Sequence, residues 1–108
     1  MAKFVIKTAK NGEYFFNLKA GNGETILSSE MYSSKTSCNN GIASVQKNCS
    51  DDGKYERKVS TNKKHYFNLK ASNGQIIGKS EMYESSTGME GGISSVKKNG
   101  TTTEIVEE

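Results

Sequence analysis

Residues 14–50 read YFFNLKAGNGETILSSEMYSSKTSCNNGIASVQKNCS, and residues 65–101 read HYFNLKASNGQIIGKSEMYESSTGMEGGISSVKKNGT. A shift of 51 positions aligns the two stretches without a gap, and 20 of the 37 aligned positions are identical. Chance does not supply such agreement, so the chain contains a tandem repeat whose units bury their hydrophobic faces against each other. We expect one domain, residues 1–108, made of two repeats that divide near residue 51.

The first half of each repeat has the alternation of a β-strand. In FNLKA, residues 16–20 and 67–71, apolar and polar residues alternate, and an Asn-Gly pair then leads into a second extended run. Asn-Gly between two such runs predicts a β-hairpin with a type I′ turn. Residues 3–8 and 54–60 alternate as well, so each repeat is predicted to open with three antiparallel strands.

The second half of each repeat changes to helical spacing, because its apolar and small residues fall on one face of a helix. These positions are Ser34, Cys38, Gly41, Ile42, Val45 and Cys49 in the first repeat, and Ser85, Met89, Gly92, Ile93, Val96 and Gly100 in the second. Ser34 and Ser85 are suited to be N-caps, and Gly100 is suited to a left-handed helix end. Because Gly41 and Gly92 lie on the buried stripe, we expect the helix backbone to approach the sheet closely.

The tetrapeptide Ser-Glu-Met-Tyr, residues 29–32 and 80–83, falls where strand gives way to helix. Its Met and Tyr precede the N-cap and are expected to pack on the first turns as a hydrophobic staple. Its Glu lies near a helix N-terminus, where negative charge is favourable. An alternative is that the two corners bring Glu30 and Glu81 together as an acid/base pair or a metal site.

Composition limits the classes of protein to which the chain can belong. Only 32% of its 108 residues are apolar, which predicts one modest core. No apolar run approaches the roughly 18 residues that span a bilayer, and the start lacks the apolar segment of a secretory signal. We therefore expect a cytoplasmic protein without a membrane partner. The net charge of +3 comes from mixed signs, which permits an anionic partner without specifying one.

Few residues offer chemistry for catalysis or for a cofactor. Cys38 and Cys49 lie eleven positions apart on one predicted helix, about 16 Å, which is too far for a disulfide. His65 aligns with Tyr14 at a strand start, so that position takes a flat amphipathic side chain. GQIIGKS, residues 74–80, has three residues between its glycines where a phosphate loop has four. We predict no cofactor, no metal and, outside the Glu30/Glu81 alternative, no catalytic residues.

Alternation along the strands also predicts a second surface. If Phe16, Leu18, Phe67 and Leu69 face the helices, the residues between them face the other way. The candidate ligand-binding residues of that surface are Phe15, Asn17, Lys19, Tyr66, Asn68 and Lys70. Aromatic, amide and cationic groups on an open sheet can stack bases and hold phosphates. The simpler interpretation, which we prefer, is that they solvate an exposed face, as one side of an antiparallel sheet commonly does.

The motifs FNLKA-x-NG, SE-x-Y and GI-x-SV-x-x-N recur in order in both repeats. In this the chain resembles the YegP-like family of small bacterial proteins of unknown function, in its duplicated form, over nearly its whole length. The resemblance implies two β-β-β-α-β units in one antiparallel sheet, with two helices on one face and the last strand of each unit exchanged to the other. TTEIVEE at the end would be such a closing strand, and residues 54–60 would bridge the halves.

The resemblance carries over no catalytic residues. We therefore expect a non-enzymatic domain with a binding or structural role, monomeric because the duplication supplies its own partner half. A nucleic-acid-binding module that uses the open sheet face is the alternative, and a small enzyme that uses Glu30 or Glu81 is a third.

Overall fold

The fold is α+β, as predicted, and the computed structural model describes all residues, 1–108. Seven strands form one sheet: β1 (Lys3–Thr8), β2 (Tyr14–Lys19), β3 (Thr25–Ser28), β4 (Tyr55–Val59), β5 (His65–Lys70), β6 (Ile76–Lys79) and β7 (Ile105–Glu107). Two helices pack on it: α1 (Lys35–Asn48) and α2 (Ser86–Asn99). A single 3₁₀ turn, Asp52–Lys54, leads into β4.

The strands are ordered β4-β5-β6-β3-β2-β1-β7 across the sheet. Every neighbouring pair is antiparallel except β1 and β7, which run parallel. The sheet is therefore mixed, where the sequence predicts one that is antiparallel throughout. The difference has a topological reason: tight hairpins can join only antiparallel strands, whereas β1 and β7 lie at opposite ends of the chain and no hairpin sets their relative direction.

The two repeats meet at the centre of the sheet, where Ser28 of β3 pairs with Lys79 of β6. Outward from this pair the strands match one for one, with β2 matching β5 and β1 matching β4. Strand β7 has no counterpart, because α1 is followed by the 3₁₀ turn and then directly by β4. The C-terminal strand thus lies against the first strand of the first repeat. The exchange expected of each unit is wrong for the first repeat, because that repeat has no closing strand and no strand covers the outer edge of β4.

The hairpin turns form at the predicted Asn-Gly pairs but differ in type. A type I′ turn needs positive φ at both central residues. In these two Asn-Gly pairs only the glycine has it, with φ 88° at Gly23 and 87° at Gly74. The preceding Asn instead uses its side chain, and Asn22 Oδ1 accepts a 3.0 Å hydrogen bond from the Glu24 amide. Each turn is therefore a three-residue loop that ends in a left-handed glycine.

One hydrophobic core of 17 residues lies between the sheet and the helices and draws on both repeats. As predicted, Phe16, Leu18, Phe67 and Leu69 point into it and are fully buried. Each helix contacts strands of both repeats, since α1 touches β2 and β6 while α2 touches β5 and β3. The repeats are therefore joined by shared packing as well as by the sheet.

The helix N-caps are confirmed and the helix end is not. Ser34 Oγ accepts a hydrogen bond from the Ser37 amide at 3.1 Å, and Ser85 Oγ accepts one from the Gly88 amide at 3.0 Å. Gly100 is right-handed, with φ −69°, so the predicted left-handed end is wrong. Its lack of a side chain serves packing instead, because a Cβ there would lie 2.8 Å from Cys49 Sγ. The aligned positions Cys49 and Gly100 therefore pack against each other.

Candidate functional site

Each Ser-Glu-Met-Tyr corner begins with a serine that completes the strand ladder. The backbone amide of Ser29 donates to the Phe16 carbonyl at 2.9 Å, and Ser29 Oγ accepts from the Phe16 amide at 2.8 Å. The serine hydroxyl thus replaces the carbonyl that a continuing strand would supply. Ser80 makes the same pair of bonds to Phe67. The chain can therefore leave the sheet here without leaving a backbone amide of the neighbouring strand unpaired.

The tyrosine of the motif returns the chain to the sheet. Tyr32 exchanges two backbone hydrogen bonds with Tyr14, at 2.7 and 2.8 Å, and Tyr83 does the same with His65. The ring of each tyrosine then packs over the helix glycine predicted to lie close to the sheet. A Cβ on Gly41 would lie 2.7 Å from Tyr32 Cζ, and one on Gly92 would lie 2.7 Å from Tyr83 Cζ. Close approach is thus confirmed, with the tyrosine as the main neighbour.

Between serine and tyrosine, the Glu-Met pair forms an outward bulge. Glu30 and Glu81 are exposed, and Met31 and Met82 are 53% and 45% exposed. The predicted hydrophobic staple is therefore wrong for the methionines, because the two-residue excursion turns them away from the helix. Serine and tyrosine account for the fold of the corner, and glutamate and methionine do not contribute to it.

Two grooves flank the centre of the sheet, and each combines one corner with the hairpin of the other repeat. The larger, about 580 Å³, is lined by Glu30, Tyr32, Gly74, Gln75, Ile76 and Ile77. Its counterpart, about 350 Å³, is lined by Glu24, Thr25, Ile26, Glu81 and Tyr83. Glu30 and Glu81 thus line separate grooves, and the structure does not bring them together as a pair. No three His, Cys, Asp or Glu side chains converge to form a metal site.

The tyrosine in each groove is electrostatically coupled to nearby carboxylates. The pKa of Tyr32 is raised, chiefly by burial and also by the negative charge of Glu30. The pKa of Tyr83 is raised by burial and by Glu81 and Glu24. Both phenols are therefore neutral hydrogen-bond donors near neutral pH, in grooves where the only charges are negative.

The sheet face opposite the helices carries the predicted surface. One row crosses all seven strands through direct pairings: Val106, Val5, Asn17, Ser28, Lys79, Asn68 and Glu56. The six predicted residues all lie on this helix-free face, since their neighbours Phe16, Leu18, Phe67 and Leu69 are in the core. Five of the six are half-buried, and Asn68 is buried at 7% exposure.

The helix-free face concentrates the positive charge of the chain. Its strand residues include one carboxylate, that of Glu56, and six lysines: Lys3, Lys7, Lys19, Lys58, Lys70 and Lys79. Lys7 and Lys70 have carboxylate partners, Glu108 at 3.6 Å and Glu56 at 3.4 Å. The other four lysines form no ion pair, so the face is strongly positive beside a whole-chain charge of only +3.

Several polar groups of this face are already engaged with one another. Asn17 Oδ1 accepts from the Ser28 hydroxyl at 2.9 Å, and Asn68 donates to Glu56 at 3.2 Å. The Lys79 ammonium lies 5.0 Å from the centre of the Tyr66 ring, in a cation–π contact. The amides thus serve the sheet, and the lysines and the two aromatic rings are the groups that remain for a ligand.

The cysteines and the lone histidine have structural positions. Cys38 and Cys49 are buried and unpaired, and burial raises the pKa of both thiols, which keeps them protonated. The backbone of His65 pairs with that of Tyr83, and its side chain is half-buried. Neither helix has the length or apolar content to span a bilayer.

Two contributors to these surfaces are not predicted by the sequence: Ile76 lines the larger groove, and Lys79 covers Tyr66. Tyr32 packs on the helix as predicted, and the structure adds that its partner there is Gly41. Nothing local could place Ile76 beside Glu30, since they belong to different repeats.

Fold and surface together define a class: a duplicated α+β repeat protein, in which two three-strand-plus-helix units share one sheet and one core. A family model described as a domain of unknown function (DUF1508) matches residues 9–56 and again residues 60–107. The chain belongs to this family, and the resemblance to YegP-like proteins is confirmed.

Related proteins match over nearly the full length of the chain. A UPF0339 protein of Acinetobacter baylyi is 59% identical over 102 residues, which cover 94% of this chain and 92% of that protein. The UPF0339 protein YegP of Escherichia coli K12 is 54% identical over 98 residues, covering 91% and 89%.

Two solved structures share the fold. The solution NMR structure of YegP from Escherichia coli, described as a protein of unknown function, has a TM-score of 0.95 at 50% identity and covers 99% of this chain and 92% of its own. The solution NMR structure of a UPF0339 protein from Shewanella oneidensis has a TM-score of 0.93 at 47% identity, covering 98% and 90%.

Proposed function

We propose that this chain is a non-enzymatic domain that acts by binding an anionic partner through its helix-free sheet face. The observation that carries the proposal is the excess of lysines there, four of which have no ion-pair partner. The positive electrostatic potential of these lysines raises the local concentration of anionic ligands and their rate of association. Catalysis at the corners has weaker support, since Glu30 and Glu81 are exposed and lie in separate grooves.

The proposal includes a single domain, residues 1–108, built from two β-β-β-α repeats with β7 added after the second as an exchanged strand, acting as a monomer in the cytoplasm. Shared packing of both repeats in one core supports the single domain. The uncovered edge of β4 carries Glu56, Arg57 and Lys58, and charges of this kind discourage edge-to-edge association. Two unpaired cysteines suit a reducing compartment.

Single-stranded nucleic acid is the specific partner that a further observation favours. Phe15 and Tyr66 occupy matched, half-buried positions on the face, and each is paired across strands with a lysine, Lys7 or Lys58. Aromatic rings beside cations are the usual platform for stacked bases and bound phosphates. The Lys79 ammonium over Tyr66 would have to move aside for a base to stack there.

The test is fluorescence anisotropy with labelled single-stranded RNA, single-stranded DNA and heparin at about 50 mM salt, where phosphate contacts are strong. We expect the affinity for nucleic acid to fall as salt rises, and to fall at least tenfold in Phe15→Ala/Tyr66→Ala. Lys19→Gln/Lys58→Gln should lower the salt dependence by about two released counterions. The matched control is Lys47→Gln/Lys98→Gln, which removes two exposed lysines from the helices and should change little.

These measurements test separately whether the face binds anions and whether the anion is a nucleic acid. Binding to heparin with none to either nucleic acid would retain an anionic partner and reject nucleic acid. If no polyanion binds at low salt, or if the helix lysines matter as much as those of the face, the anion-binding surface is rejected.

A further inference from the structure

The larger groove, lined by Glu30, Tyr32 and residues 74–77, shares Ile76 with the helix-free face but contains none of the lysines of that face. Its volume of about 580 Å³ falls within the range of about 300–1,000 Å³ typical of small-ligand sites. One wall comes from the corner of the first repeat, and the other comes from the turn before β6 and the start of that strand. The groove thus exists only where the two repeats are joined.

The Glu30 side chain of this groove has no partner within the protein. Glu30 makes no ion pair and no side-chain hydrogen bond, a condition it shares only with Glu81 and Glu104 among the acidic residues. The Tyr32 hydroxyl also has no hydrogen-bond partner. A free carboxylate and a neutral phenol therefore remain available to a ligand that donates or accepts hydrogen bonds.

The opposite wall is aliphatic. Ile76 is 38% exposed, and Ile77 beside it is 7% exposed. Ile76 faces away from the core, because its pairing with Lys70 places it on the helix-free side of β6. An exposed isoleucine beside an unpaired carboxylate complements a ligand that carries a positive charge at the end of a hydrocarbon chain.

We propose that this groove binds an aliphatic cation, with its ammonium or guanidinium group at Glu30 and its methylene chain along Ile76 and Ile77. Glutamate supplies the countercharge, Tyr32 forms part of the wall next to it, and the isoleucines remove the chain from water. Free polyamines share this chemistry with the side chains of lysine and arginine in a peptide. Both repeats have Glu-Met in the corner although the fold of the corner does not need it, and a role for the glutamate in binding such a ligand would account for its presence.

The counterpart groove provides an internal comparison. Thr25 stands there in place of Ile76 and Glu24 in place of Gln75, and the volume is about 350 Å³. That groove has an extra carboxylate and a shorter, more polar wall. We expect it to bind the same probes more weakly, and to lose most of the preference for a longer methylene chain.

The experiment is an amide ¹H–¹⁵N NMR titration with 1,5-diaminopentane and, separately, with Nα-acetyl-lysine N-methylamide. We expect the shifts at lowest probe concentration at residues 30–32 and 74–77, with those of the counterpart groove appearing at higher concentration, and affinity for the larger groove reduced at least fivefold by Glu30→Gln and at least threefold by Ile76→Thr. Glu104→Gln, which neutralises an unpaired carboxylate far from the groove, should leave the affinity unchanged. Neutral 1-pentanol should not reproduce the shifts. Unchanged spectra outside the groove would show that each variant is folded.

Tighter binding of the diamine would identify a polyamine as the source, and tighter binding of the lysine derivative would identify a peptide. Equal binding would support the shared chemistry. Three results would overturn the site: no shifts in the groove, equal shifts around Glu104, or an affinity that Glu30→Gln leaves intact. None of these results bears on the polyanion measurements, so the two proposals fail separately.

Discussion

The ring of Tyr32 occupies the space that a Cβ on Gly41 would need. The aromatic ring of Phe16 closes the same space from the sheet, 3.1 Å from that Cβ position. In the second repeat Tyr83 covers Gly92 in the same way. The two motifs that define the repeat, SE-x-Y and GI-x-SV, are therefore halves of one contact between corner and helix.

This contact predicts opposite effects for two adjacent glycines of α2. Gly91→Ala should stabilise the protein by about 1 kcal/mol, because nothing lies near the new Cβ and alanine is the better helix former. Gly92→Ala should destabilise it by about 1 kcal/mol, because overpacking of about 1–3 kcal/mol exceeds the same helical gain. Urea denaturation measures both. Equal stabilisation by the two substitutions would show that the tyrosine yields without cost.

A double-mutant cycle in the first repeat tests the cause. Gly41→Ala should destabilise the wild type but become neutral or stabilising by up to about 1 kcal/mol in a Tyr32→Ala background. A coupling energy near zero would mean that Tyr32 is not the group that excludes a side chain at position 41.

The buried hydroxyl of Ser80 is expected to contribute more to the free energy of unfolding than a side chain in a loop usually does. Ser80→Ala leaves the Phe67 amide without its 3.0 Å acceptor, and an unpaired buried donor costs about 1–3 kcal/mol. The loss at Ser29→Ala should be smaller, because Ser29 is half-buried. Ser94→Ala, on the exposed side of α2, should change stability by less than about 0.5 kcal/mol. Faster hydrogen exchange at Phe67 would locate the effect, and unaltered exchange would contradict it.

The sequence predicts the local parts of this fold because local chemistry decides them. Alternation along residues 15–19 correctly places Phe16 in the core and Phe15 on the helix-free face, and Ser34 caps α1 as its hydroxyl predicts. Non-local features escape the same reasoning. The parallel pairing of β7, the contact of Cys49 with Gly100, and the joining of Glu30 with Ile76 all depend on how distant segments meet.

Two further predictions are wrong because one turn sequence is compatible with several backbone geometries. Asn-Gly is compatible with type I′ and with a type I turn closed by a left-handed glycine, and only the asparagine side-chain bonds select the second. The prediction for Met31 fails for a similar reason. A continuous turn would direct its side chain toward the helix, whereas the two-residue bulge directs it toward solvent.

One turn of the second repeat carries a residue poorly suited to it. Lys63 has φ 65°, in the position where the first repeat has Gly12 at φ 84°. Left-handed backbone costs a non-glycine residue about 1–2 kcal/mol, partly offset by the greater freedom of glycine in the unfolded chain. Lys63→Gly should therefore stabilise the protein by about 0.5–1 kcal/mol, and Gly12→Lys should destabilise it by a similar amount. Thermal unfolding that moves both variants in the same direction would contradict this.

An ion cluster links β4, the 3₁₀ turn and α2. Arg57 donates to Glu90 at 2.5 Å and to Asp52 at 3.0 Å, and Lys97 donates to Asp52 at 2.8 Å. Hydrogen bonds from Lys97 and Arg57 lower the pKa of Asp52, and hydrogen bonds from Arg57 lower that of Glu90. A carboxyl whose pKa is lower in the folded state stabilises the fold above its unfolded pKa, near 4, and loses that contribution as the pH falls through the folded value.

We therefore expect the thermal midpoint to fall between about pH 5 and pH 3, and to fall less steeply in Arg57→Met, which keeps the aliphatic stem but removes the charge. Lys98→Met is the matched control, because it removes an exposed α2 charge that forms no ion pair. The wild type and the control should show the same pH slope. If Arg57→Met shares that slope, solvent screens the cluster too well for it to shift stability, and the acid sensitivity of the protein must come from other carboxylates.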